Sequence, residues 1–227
     1  MSELGIVDIF EDDDLVAVVA NPSTVRRANF LGIRHRSLEA LSECVNLTHL
    51  SVFGLHHTGT DPKWSDTTKD FYPLHRLPRL RHLSIRNCWH FDEAQLLHVA
   101  GLSRLRGLSI ANCPHNAGSL AGLIELRVLQ LSRGLPDLTF TKQLSNLEYV
   151  YLGGNGVAEP VVGLESLASI RSLKSGTFDL RHYRKLPVRL PCETHFCGKR
   201  DKKTSNFDAH AWWETHTGLA EDAVNGQ

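Results

Sequence analysis

The sequence predicts an α/β solenoid, with short parallel strands lining a concave face and helical or irregular segments returning behind them. Two observations predict it. A leucine-based pattern recurs along the chain, and inside each copy apolar and polar residues alternate with the two-residue period of a strand. At 227 residues and 41% hydrophobic composition, the chain is long enough to bury a continuous core.

The copies are explicit. Leu77, Leu80, Leu83, Ile85 and Cys88 share their spacing with Leu102, Leu105, Leu108, Ile110 and Cys113. The same spacing holds for Leu123, Leu126, Leu129, Leu131 and Gly134, and for Leu144, Leu147, Val150, Leu152 and Asn155. The pattern L-x-x-L-x-x-L-x-L-x-x-(N/C) resembles the leucine-rich repeat. The resemblance covers roughly residues 25–190 and mixes the cysteine-containing and the shorter 21–22-residue types. It implies a curved right-handed coil with a parallel sheet on the concave face, and a protein that binds other macromolecules there.

Weaker copies extend the series. Val25, Ala28 and Phe30 suggest a degenerate first unit, and Leu47, Leu50 and Val52 a second. Downstream, Leu164, Leu167 and Ile170 read as the next unit, with Ser172 in place of the second buried aliphatic residue, and Leu180–Val188 as a last strand. The expected organisation is an acidic N-terminal cap over 1–24, a solenoid of about six to seven units over 25–190, and a C-terminal cap or tail over 191–227. An inserted loop, 56–74, carries Trp64 and Tyr72 and would overhang one rim of the concave face.

The returns should differ between halves, with helices behind the sheet at one end and tighter turns at the other, so that the curvature changes midway. After Cys88, Asp92 suits an N-cap, Leu96, Leu97 and Ala100 have helical spacing, and Gly101 could close the helix. After Asn155, Pro160 and the β-branched Val157, Val161 and Val162 predict a short extended or 3₁₀ return. Cys88 and Cys113, at the ends of their strands, read as small buried thiols without redox or metal roles.

Charge narrows the function classes. Lys plus Arg and Asp plus Glu each total 25, a formal net charge of zero, which argues against a dedicated nucleic-acid binder. The charges are nonetheless segregated. Glu3, Asp8, Glu11, Asp12, Asp13 and Asp14 make the first 20 residues acidic, and Lys/Arg residues predominate over 171–203. No apolar run suits a membrane span, and an acidic start is the opposite of a secretory signal. Five cysteines and no export signal predict a cytoplasmic protein.

No motif for an enzyme is present: no G-x-S-x-G, P-loop, H-E-x-x-H or dinucleotide fingerprint. The chain therefore reads as non-enzymatic, with no catalytic residue, cofactor or assigned metal. Its candidate surface is the concave face, where Ser51, Ser84 and Ser109 leave room for a partner at the centre. Larger groups bracket that centre: His49, Phe53, His82 and Arg86 on one side, and Gln130, Tyr149, Tyr151 and Arg171 on the other. Two outward tyrosines on one strand need covering. The expected function is a monomeric protein-interaction module, of a size suited to an inhibitor or immunity-type regulator. The alternatives are a nucleic-acid-associated adaptor using the basic 181–203 segment, or a zinc-bearing C-terminal module built on Cys192, His195 and Cys197. Trp212 and Trp213 are expected to dock on the last repeat.

Overall fold

The computed structural model describes residues 6–9, 20–31, 38–53, 71–86, 91–111, 113, 116–132, 137–153, 161–179, 189–197 and 209–218. Within them, nine strands form a single sheet in sequence order, every neighbouring pair parallel. They are β1 (Ile6–Ile9), β2 (Arg27–Leu31), β3 (His49–Phe53), β4 (His82–Arg86) and β5 (Gly107–Ala111), followed by β6 (Val128–Ser132), β7 (Tyr149–Gly153), β8 (Ser175–Asp179) and β9 (Glu193–Cys197). Sequential parallel strands require each connection to pass behind the sheet, and that is the geometry of a solenoid.

Each coil is built alike because its apolar spacing is alike. Leu83, Leu108, Leu129 and Val150 are register partners across the sheet and point inward, with Ile85, Ile110, Leu131 and Leu152 beside them. The earlier leucines of each motif close the wedge behind. Leu77 N and Leu80 N donate to the carbonyls three residues before them, as do Leu123 N and Leu126 N, and Leu144 N and Leu147 N. A second ladder starts each strand: Arg106 N donates to Arg81 O, Arg127 N to Arg106 O, Glu148 N to Arg127 O and Lys174 N to Glu148 O, each at 2.8 Å.

Among the described residues the returns do not divide by halves: a single α-helical return has 3₁₀ turns on both sides of it, and Val157 and Pro160 lie outside the described residues. One is α-helical, α1 (Glu93–Ala100), and Asp92 caps it by accepting from Gln95 N at 2.9 Å. Gly101 ends the helix in right-handed rather than left-handed geometry; a side chain there would strike the His75 ring. Most others are 3₁₀ turns, including Tyr72–Arg76, Gly118–Gly122, Leu138–Gln143 and Leu164–Ser169. The last of these opens on Gly163 at φ +78°, where a Cβ would press on the backbone of Leu138 and Thr139. Trp64 and most of the insertion lie outside the described residues. Its last residues, 71–74, are described: Phe71 is buried against Phe91 and donates its N–H to Gln95 Oε1.

The seventh repeat is offset from its expected position. Ile170 is not an inward strand residue; Ile170 and Leu173 are the wedge positions, and the strand follows as β8. Gly176 is the register partner of Val150, in a place the motif reserves for leucine. Phe178 explains the exchange: its fully buried ring lies 2.7 Å from where a Gly176 Cβ would stand.

The sheet also runs past both boundaries expected from the repeat. β1 comes from the acidic N-terminal segment, and β9 from the segment read as a possible metal module. Leu180–Val188, expected as a last strand, lies outside the described residues. Asn46, Asn146 and Ser172 tie successive turns together by donating to Ser23 O, Ile124 O and Ser145 O. Cys113 is buried, which pushes its thiol up to about 12; Cys88 lies outside the described residues.

Candidate concave-face site

The concave face is carried by alternate strand positions. Its central column runs Asn29, Ser51, Ser84, Ser109, Gln130, Tyr151, Thr177 and His195. A second column runs Arg27, His49, His82, Gly107, Val128, Tyr149, Ser175 and Glu193. Seven of the eight expected site residues stand in these columns or at their outer edge with Phe53 and Arg86. Arg171 does not. It sits exposed in the turn before β8, and Thr177 takes its place, because the repeat is offset.

The middle of this face is not open. Ser84, Ser109, Gln130, Tyr151 and Thr177 are all buried, as is Val128. Over part of it lies α2 (Ala209–Thr217), from the C-terminal end of the chain. Trp213 is buried, with its ring edge-on to His82 at 6.4 Å between centroids. A Cβ on Gly107 would meet His82 Nδ1 at 2.5 Å, the Trp213 indole at 3.0 Å and the Thr217 methyl at 3.2 Å, so the missing side chain makes room for the neighbouring imidazole as well as for α2. His216 packs edge-on to Tyr149 at 4.6 Å, and Trp212 stacks on His216 at 4.3 Å while touching Tyr151 at 5.7 Å. The outward tyrosines are covered by the chain itself. The paired tryptophans dock on β4–β7, not on the last repeat.

The more exposed part, among the described residues, lies toward β2–β4. Arg27, Asn29, His49 and Ser51 are half-buried, as is Arg86, and Phe53 is 36% exposed. His49 and His82 stack nearly parallel, 4.5 Å apart at 8°. Thr48 Oγ1 donates to Arg26 O, so its 2.8 Å contact with His49 Nδ1 is one in which the imidazole donates. Burial, the neighbouring His82 and the Arg27 charge pull the His49 pKa down to about 3, which keeps the stack's first ring neutral. Arg86 Nε donates to Ser84 Oγ at 3.0 Å, laying the guanidinium along the strand.

Gln130 Oε1 is buried and accepts no hydrogen bond among the described residues. An orphaned acceptor of this kind costs about 1–3 kcal/mol. At the rim, Lys174 and Arg127 both pair with Glu148, at 2.6 and 3.7 Å. The hydrogen bond to Glu148 holds the Lys174 ammonium above its ordinary pKa, against slight desolvation.

The C-terminal cysteine–histidine segment is a strand. Cys192, just before β9, packs inward against the core, whereas His195 faces the concave side with Glu193 at 3.5 Å. Among the described residues no three His, Cys, Asp or Glu side chains gather as a metal site. Most of the basic 181–203 segment lies outside the described residues.

Comparison with solved structures agrees with the geometry. A leucine-rich-repeat protein of Leptospira interrogans aligns at TM-score 0.54 and 16% identity, over 83% of this chain and 53% of that one. This is a leucine-rich-repeat solenoid. An internalin and internalin C2, both of Listeria monocytogenes, align at 15% identity with TM-scores of 0.48 and 0.46. Those alignments cover 84% and 83% of this chain, and 48% and 80% of the two internalins. The chain thus spans about half the length of the first internalin and of the Leptospira protein. No protein-family model matches the sequence, nor does any curated protein. What sequence reasoning missed in this leucine-rich-repeat chain is α2 as the cover of the concave face. The available signals were the two outward tyrosines in need of a cover and a tryptophan pair that the sequence reading places on the last repeat instead.

Proposed function

We propose that this leucine-rich-repeat protein is a non-enzymatic, monomeric, cytoplasmic interaction module that recognises a protein partner on its concave face. The observation that carries the reading is the strip beside α2 that is more exposed among the described residues. Phe53 presents an exposed ring at the edge of β3, flanked across the strand register by Arg86. An aromatic and a guanidinium side by side on a rigid sheet form the kind of pair that dominates protein interfaces, since both bury much area while Arg still makes polar contacts. The sheet needs no further ordering to present them, which lowers the entropic cost of binding. Among the described residues, no helix is long and apolar enough to cross a membrane. An inhibitor or immunity-type role is compatible with this surface and would require that the partner be an enzyme or toxin.

The test is affinity purification from the native host with wild-type chain beside F53A/R86A. Loss of a stoichiometric protein in the double variant is the expected result. Equal recovery of every partner by both chains would overturn the concave-strip assignment.

A further inference from the structure

The seat of α2 is itself a recognition site, because α2 is not part of the solenoid's interior. The core of inward leucines closes without any residue of 209–217. α2 spans nine residues, Ala209–Thr217, and of its side chains from Ala211 onward only Trp213 is fully buried; Ala211 and Thr215 are exposed. A helix this short is marginal on its own and depends on the face it packs against. Its sequence also works against it. Thr215 Oγ1 donates to Ala211 O and Thr217 Oγ1 to Trp213 O, both at 2.8 Å, and such back-bonds weaken helices. Nor does α2 complete the surface that it covers, since in β6, which it packs against, Gln130 Oε1 accepts no hydrogen bond among the described residues.

From these observations we infer that α2 is a displaceable internal ligand. The groove of His82, Gly107, Tyr149 and Tyr151 is a docking site for a partner's amphipathic helix bearing two adjacent aromatic residues. The inference rests on the concave face being the recognition surface, and adds that the partner must evict α2 to reach its centre. Gly107 sets the specificity: the strand lacks a side chain where the second aromatic enters. A partner helix with a hydrogen-bond donor over Gln130 would out-compete α2 by satisfying an atom that no described residue of α2 pairs with. Until then, α2 shields the aromatic surface from solvent.

The experiment supplies the helix in trans. A fluorescein-labelled peptide of residues 206–220 is titrated into three full-length chains: wild type, W212A/W213A and G107V. The double variant, whose own helix has left the groove, should bind at least tenfold more tightly than wild type. G107V, with the seat filled, should bind no better than wild type, and a peptide with both tryptophans replaced by alanine should bind none of the three. Circular dichroism and a thermal melt accompany each chain. Equal peptide affinity for wild type and W212A/W213A, or no binding by a double variant that keeps its sheet signal, overturns the inference. So does collapse of the sheet in that variant, which would make α2 structural. A wild-type chain that sediments as a dimer, and loses that state on W212A/W213A, would place a second copy's helix in the groove and likewise overturn it. Because no natural partner enters the assay, peptide binding can succeed where F53A/R86A leaves partner recovery unchanged, and the two readings fail separately.

Discussion

Gly107 and Trp213 are fitted to each other: the strand residue has no side chain, and the indole comes within 3.0 Å of where its Cβ would lie. They are distant in sequence and meet on the concave side of β5. Most of the local consequences for stability can be tested at positions of this kind, where one side chain occupies the space that another has given up.

Filling the seat should dislodge the helix and leave the solenoid standing. Gly107→Val is expected to cost about 1–3 kcal/mol, the usual range for overpacking. Its fluorescence should shift to the red as Trp212 and Trp213 enter water. Chemical denaturation followed by tryptophan emission measures both; an unshifted spectrum would contradict the seat.

Gly176 and Phe178 should be strongly coupled. Restoring the motif's leucine with Gly176→Leu should destabilise the chain, since the Phe178 ring already fills that volume. Adding Phe178→Val to Gly176→Leu should recover stability relative to the single substitution, giving a coupling of about 1–3 kcal/mol in a double-mutant cycle. Arg171→Ala, in the exposed turn once expected to be strand, should stay within about 0.5 kcal/mol of wild type.

His49 should make stability depend on pH in a defined direction. Its pKa in the folded chain is about 3, against an ordinary 6.5. Between those values the unfolded chain binds the proton and the folded chain does not, so this contribution is complete above about pH 6.5 and declines as pH falls toward 3. The slope from one such group cannot exceed about 1.4 kcal/mol per pH unit. Urea titrations of wild type and His49→Gln across that window should differ in slope by part of that amount. Parallel curves would show that His49 is charged in the fold.

Gly163 should be the least tolerant of the turn glycines. Alanine there meets both a left-handed φ of +78° and the backbone of Leu138 and Thr139, which cannot rotate away as a side chain can. Strain of this type costs about 1–3 kcal/mol. Gly122→Ala, which has open space around it, is the matched control and should be close to neutral, as read by thermal melts of the two variants.

The repeat was legible because its physics is local and periodic. Leu83, Leu108 and Leu129 each sit at the same place in the same short motif, and stacking then brings them into register without further information. The offset at β8 was not legible by the same rule. Leu164, Leu167 and Ile170 satisfy the motif's spacing, whereas the true strand has Gly176 where leucine belongs. A second phase, with Ile170 and Leu173 as the wedge leucines, was visible in the letters, but only Phe178 filling the glycine's space explains why it wins.

The candidate site divides the same way. By itself the sequence determined which side chains of β3–β7 face outward on the concave sheet, since a strand's alternation assigns every second residue to that side. It also showed that Tyr149 and Tyr151 would need a cover. Only the tertiary structure decided that the cover is Trp212 and Trp213, seated over Gly107. That contact joins segments a hundred residues apart, and its selectivity comes from a hole of the right shape, which no periodicity in the chain encodes.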